Sequence, residues 1–122
     1  MELTGYAVSP SELPKGRTLQ LSLFWQALQE TDLSYTVFVH LLDGEGKVAA
    51  QQDNPPQAGA YPTSEWVAGT AVADYYSIPL PPEPGEYTLE VGVYHAAAGA
   101  LSRLPVAGTG EDRVLLGQIY VR

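Results

Sequence analysis

Residues 18–28 read TLQLSLFWQAL, and the phase of this stretch decides the fold. Its odd positions are Leu19, Leu21, Leu23, Trp25 and Ala27, while the even ones begin Thr18, Gln20 and Ser22. A period of two sends alternate side chains to opposite faces, so the run predicts a half-buried strand with its odd positions inward. The same phase recurs further along. Tyr35, Val37, Val39 and Leu41 are apolar at odd positions, with Ser34, Thr36 and His40 opposite. Tyr87, Leu89, Val91 and Val93 point inward in a later run, with Thr88 and Glu90 outward. Val72, Tyr76, Ile78 and Leu80 share one face of a strand near 70–80. Further strands are predicted near 3–8, 47–53, 103–106 and 113–121.

Punctuation separates these runs. Asp43-Gly44-Glu45-Gly46 predicts a tight hairpin turn. Pro55-Pro56, Pro81-Pro82-Glu83-Pro84-Gly85 and Gly108-Thr109-Gly110 predict loops, because Pro cannot donate to a ladder and Gly supplies positive φ. No window carries a helical stripe. The pattern predicts an all-β chain folded as a two-layer antiparallel β-sandwich of about seven to nine strands. Residues 1–122 read as a single sandwich domain and as a piece of a larger protein.

One connection is unusually long. Residues 54–70 lack alternation but contain Pro55, Pro56, Gly59, Tyr61, Pro62, Trp66 and Gly69. Loops of this length are either functional or packed on themselves. A single helical turn is predicted at 62–66, capped by Thr63 or Ser64. Trp66 is expected to fold inward as a plug, since burying one indole offsets much of the ordering cost of a Pro- and Gly-rich loop.

The chain has 14 acidic and 6 basic residues, a formal net charge of −8. This argues against nucleic acid and anionic membranes as partners, because both require a basic patch. Cys is absent, which removes disulfides, thiolate metal sites and Cys nucleophiles. No apolar run approaches the ~20 residues of a spanning helix, so no direct membrane insertion is expected. Residues 1–6 lack a basic and an apolar region, so they do not read as a signal peptide.

The runs Leu19–Leu28, Tyr35–Asp53 (YTVFVHLLDGEGKVAAQQD), Tyr61–Trp66 (YPTSEW), Pro84–Tyr94 (PGEYTLEVGVY) and Arg103–Val106 (RLPV) resemble a β-sandwich module. That module is found in the extracytoplasmic part of large bacterial membrane proteins similar to multi-pass mannosyltransferase-type glycosyltransferases. The resemblance covers nearly the whole chain and implies an immunoglobulin-like fold, an extracytoplasmic or cell-surface location, and no catalytic residues. The run 96–102 departs from it, where a more polar turn is expected. Tyr87, just after Pro84-Gly85, also resembles the tyrosine of an immunoglobulin-type corner.

The candidate sites follow from phase. Phe38, Tyr94 and Tyr120 lie opposite the core phase, and Gly92 leaves room for a ring. With His40 they predict an aromatic docking face for other domains of the parent protein or a protein partner. The leading expectation is a non-catalytic accessory module, mediating docking or surface presentation outside the membrane. The alternative is a carbohydrate-binding module that stacks sugars on Tyr61, Trp66 and Tyr75, with Glu65 as a polar partner. Asp74 falls on an inward phase among Val72, Tyr76 and Ile78. A carboxylate there must be hydrogen-bonded, and backbone N–H groups of the 54–70 loop are the expected donors. Glu65 and Asp74 are the best pair for a glycosidase, but the structural role of Asp74 is favoured. His40 and His95 lie in no nucleophile–base–acid set, and no G-x-S-x-G turn exists. Residues 43–46 offer oxygens for calcium without the spacing of a calcium loop. Gly108-Thr109-Gly110 precedes a strand, not a helix, and so cradles no phosphate. No metal and no cofactor are expected.

Overall fold

A computed structural model describes residues 1–9, 12–13, 17–97, 100–104 and 112–122. The strands are β1 (Glu2–Ser9), β2 (Glu12–Leu13), β3 (Thr18–Gln26), β4 (Thr36–Leu42), β5 (Val48–Asn54), β6 (Ala71–Pro79), β7 (Gly85–Ala97), β8 (Ala100–Leu104) and β9 (Val114–Val121). The chain is all-β, with two sheets. The smaller has the order β1-β3-β6, and the larger β2-β9-β7-β4-β5, with β8 also pairing β7. Pairing is antiparallel except between β2 and β9, where Glu12 and Leu13 run parallel beside Tyr120 and Val121.

The core follows the sequence phase. Leu19, Leu21, Leu23 and Trp25 of the smaller sheet share one buried cluster with Val37, Val39, Leu41, Tyr87, Leu89, Val91 and Val93 of the larger one. Side chains from two facing sheets fill one interior, which makes a β-sandwich. Tyr6 clasps one side of it, its hydroxyl donating to the Leu116 carbonyl at 2.9 Å. A bulge shifts the β7–β9 register between Leu89 and Glu90, next to Gly117 at φ 127°. At the start of β7 the Tyr87 hydroxyl donates to the Glu83 carbonyl at 2.7 Å. Among the described residues no helix is long and apolar enough to cross a membrane.

Several local expectations need correction. The β2 pairing has no counterpart in the sequence reading. The turn at Thr63–Glu65 forms, but neither Thr63 nor Ser64 caps it. The Thr63 hydroxyl instead donates to the Leu33 carbonyl and accepts from the Tyr35 N–H, both at 2.8 Å. It therefore ties the long loop to the chain entering β4. Within the run 96–102, residues 96–97 end β7 and 100–102 begin β8, and the two strands pair antiparallel with Ala97 beside Ala100. Gly108-Thr109-Gly110 and the 105–106 end of the expected short strand lie outside the described residues.

Trp66 is buried, and its indole N–H donates to the Tyr61 carbonyl at 3.0 Å. Asp74 is buried too. Its Oδ1 accepts from the Gln57 N–H at 2.8 Å and its Oδ2 from the Tyr76 hydroxyl at 2.5 Å. Gln57 and Ala58 both hold positive φ there, 53° and 55°. Two successive non-glycine residues in that region need an anchor, and the carboxylate supplies it. Burial pushes the Asp74 carboxyl above its ordinary range, against the opposing pull of the Tyr76 and Gln57 hydrogen bonds. Burial and the Asp74 carboxylate together push the Tyr76 phenol far upward.

A carboxyl whose folded pKa is raised favours the fold most below its ordinary value, and that gain is lost as pH rises through the raised value. Asp74→Asn should therefore flatten stability between acidic and neutral pH in urea titrations. Asp74→Ala strands the buried Tyr76 hydroxyl, frees the Gln57 N–H, and should cost about 1–3 kcal/mol. An Ala variant as stable as the parent would remove Asp74 as the loop's anchor.

Candidate functional site

The outer face of the larger sheet carries a polar cluster, and strand register assembles it. On this face Phe38 of β4 lies between Asp53 of β5 and Gly92 of β7. One step along, His40 lies between Gln51 and Glu90. The β7–β8 hairpin then sets Arg103 beside Tyr94. Residues from four strands thus meet in a patch that no local stretch of sequence contains.

Phe38 is at the centre and is only 1% exposed. A Cβ on Gly92 would stand 2.3 Å from its Cζ, so the missing side chain makes the space that the ring fills. The Arg103 guanidinium lies over the ring, 4.4 Å from its centroid. His40 and Tyr94 flank it at 4.8 and 6.4 Å between ring centroids. Arg103 keeps 39% of its side chain exposed, and its contact with Asp112 is loose at 3.8 Å.

Glu90 is 3% exposed although it faces outward, because its neighbours cover it. Its Oε2 accepts from Arg113 at 2.8 Å and its Oε1 pairs with His40 Nδ1 at 3.0 Å. Burial raises the Glu90 carboxyl, but the Arg113 and His40 hydrogen bonds outweigh it and hold the group below its ordinary range. Asp53 is less well satisfied. Its Oδ2 accepts from the Tyr94 hydroxyl at 3.3 Å. Its Oδ1 is shielded from solvent and has no hydrogen-bond partner among the described residues. His40 Nε2, at 3.6 Å, is too far from it for a hydrogen bond. Burial, followed by the Asp53 charge and hydrogen bond, raises the Tyr94 phenol.

A cleft of about 240 Å³ opens here, lined by Phe38, His40, Gln51, Asp53, Tyr94 and Arg103. It is smaller than most drug-sized sites and suits one ring system. A more enclosed cavity of about 130 Å³ lies against Ala27, Tyr35, Thr63 and Trp66. There the Thr63 hydroxyl is already used in both directions. His40 turns one nitrogen to each carboxylate, so the three groups do not converge on an ion. Among the described residues no three His, Cys, Asp or Glu form a metal site. At the 43–46 turn the Asp43 carboxylate accepts from the Glu45 and Lys47 N–H groups, both at 2.9 Å. Those bonds hold its pKa below the ordinary range and occupy the oxygens offered for calcium.

The expected aromatic docking face does not form as one patch. Phe38 and Gly92 are buried, and Tyr94 is half-buried. Tyr120 is exposed but pairs with Glu86, six residues from Gly92 along β7 and so roughly 20 Å away. The sugar-stacking set of Tyr61, Trp66, Tyr75 and Glu65 forms no open groove: the half-buried Tyr61 ring packs on Trp66 at 6.1 Å between centroids, and the others point elsewhere. Trp66 is buried in the core, Glu65 is on the exposed turn, and Tyr75 is 70% exposed on the outer face of the smaller sheet. Glu65 and Asp74 do not make a carboxylate pair, since Asp74 is enclosed by Tyr76 and Gln57. His95 packs its ring edge-on to Tyr35. Asp53, Glu90, Arg103 and Arg113 were not singled out by sequence. One signal pointed to Glu90: it shares the outward phase of its strand with His40 on a neighbouring strand.

Comparison with known proteins gives the fold a counterpart. No protein-family model matches the chain, and no curated protein matches it. Among solved structures, the chain is similar to Pseudomonas fluorescens alkylpurine DNA glycosylase AlkC bound to DNA containing an abasic site analog. The match has 16% identity and a TM-score of 0.52 over 99% of this chain. The chain spans 30% of the length of that protein, and the likeness is one of fold. It corrects the functional expectation. Nothing ties the chain to mannosyltransferase-type membrane proteins, and the structural counterpart belongs to a DNA glycosylase. The reading as a non-catalytic accessory docking module, with carbohydrate binding as its alternative, is overturned.

Proposed function

We propose that this chain is an immunoglobulin-like domain of a DNA-handling protein, and that the cleft on its larger sheet receives an unstacked nucleobase. The immunoglobulin-like assignment is supported by the Tyr87–Glu83 corner bond and by a first strand in one sheet followed by a short segment in the other. The observation that carries the base site is Asp53 Oδ1, a shielded carboxylate oxygen without a donor, beside aromatic walls. Base edges present N–H donors, and base faces stack on aromatic rings. The chain binds and does not cleave: Glu90 spends both carboxylate oxygens, one on His40 Nδ1 and one on Arg113.

The net charge of −8 sets the binding mode. Phosphate clamping cannot carry the affinity, so the base contact must. Labelled single-stranded and abasic-site oligonucleotides, followed by fluorescence anisotropy, test this. Both should bind in preference to intact duplex. With Arg103 and Arg113 as the arginines at the site among the described residues, the log–log salt slope for single strands should be no steeper than about −1.4. Asp53→Ala should weaken binding about tenfold or more while the melting temperature stays close to the parent's. A steep salt slope, or an Asp53→Ala variant that binds normally, would overturn the reading.

A further inference from the structure

We infer that the cleft selects a cationic planar base over a neutral one, and that Arg103 is its displaceable internal occupant. This rests on the base-binding reading above. Phe38 offers a ring face, yet that face is taken by a guanidinium, itself a planar cation, at 4.4 Å. The occupant is lightly held. It is 39% exposed, and its Asp112 contact is 3.8 Å long. Beside it stands Asp53, whose Oδ1 has no donor among the described residues and lies 3.6 Å from His40 Nε2. Ring face and a carboxylate oxygen without a donor together make a receptor for positive charge on a flat frame.

Displacement explains the preference. A ligand reaching Phe38 must remove the Arg103 cation–π contact. A neutral ring restores only part of it, whereas a cationic ring restores it and adds attraction to Asp53. On a DNA strand the released guanidinium would be free to meet a phosphate, which gives an acidic domain a phosphate contact only once the base is seated.

The test titrates the 122-residue chain with 1-methyladenosine, cationic at neutral pH, and with adenosine, its neutral counterpart. The Arg103 Nε–Hε resonance reports displacement. The cation should bind about tenfold more tightly and move that resonance. Arg103→Ala should tighten cation binding several-fold, because an occupied site lowers apparent affinity by the fraction of time it is closed. Phe38→Leu should abolish the discrimination. Equal binding of the two nucleosides, or saturation with the Arg103 resonance unmoved, would overturn this inference and leave the base site standing. Failure of both nucleosides to bind the parent and Arg103→Ala at millimolar concentration would overturn both.

Discussion

Trp25→Ala should lower the unfolding free energy by about 3–5 kcal/mol, the largest single effect expected in this chain. Trp25 is fully buried, with Leu3 beside it on β1 and Val72 on β6. Its ring belongs to the cluster formed by both sheets, so truncation leaves a cavity that rigid strands cannot close. Domains of this size hold only about 5–15 kcal/mol in total, so the variant should be close to unfolding at 37 °C. The indole N–H adds a second test. It is buried without an acceptor among the described residues. An unmade hydrogen bond of this kind costs about 1–3 kcal/mol. Trp25→Phe keeps most of the apolar area and removes that donor, so it should cost well under half of what Ala costs. Urea denaturation of both variants measures this. A Phe loss as large as the Ala loss would mean that the indole N–H has a partner and that losing this bond, not the ring volume, sets the cost.

The parts that sequence made legible are those governed by near neighbours. The inward phase of residues 19–27 and 87–93 survives in the structure because alternation depends only on adjacent residues. Trp66 was legible for a related reason, since a Pro- and Gly-rich loop holding one indole has little else to bury. The candidate site was not legible, because it depends on register between distant strands. His40 and Glu90 lie 50 residues apart and meet only because β4 and β7 pair in one register. Arg103 reaches Phe38 because β8 pairs with β7, and nothing local to residues 100–104 announces that pairing. Phe38 shows how phase misleads. It faces away from the core and still ends 1% exposed, because Gly92 below and Arg103 above enclose it. Outward phase fixes a direction, while exposure depends on what other strands bring to that face. β2 has two residues and leaves no period to detect.

Gly92→Ala should cost about 1–3 kcal/mol and should disable the cleft. The added Cβ would stand 2.3 Å from Phe38 Cζ, 2.4 Å from its Cε2 and 2.9 Å from the Asp112 carbonyl oxygen. No carbon survives such contacts, so something must shift. Gly92 itself sits in the middle of β7 between paired strands and cannot retreat without breaking the ladder to Phe38. The ring must therefore move outward, but Arg103 lies over it, and His40 and Tyr94 stand beside it. Its displacement pushes the guanidinium off and closes the space beside Asp53. The backbone of Gly92 needs no positive φ, so the penalty is steric and a smaller partner should relieve it. Phe38→Val in the Gly92→Ala background should recover much of the loss, although Phe38→Val alone is destabilising. A double-mutant cycle on thermal or urea unfolding should give a coupling of about 1–3 kcal/mol between positions 38 and 92. Additive losses would show that the ring does not rest on Gly92, and the cleft would lose its floor.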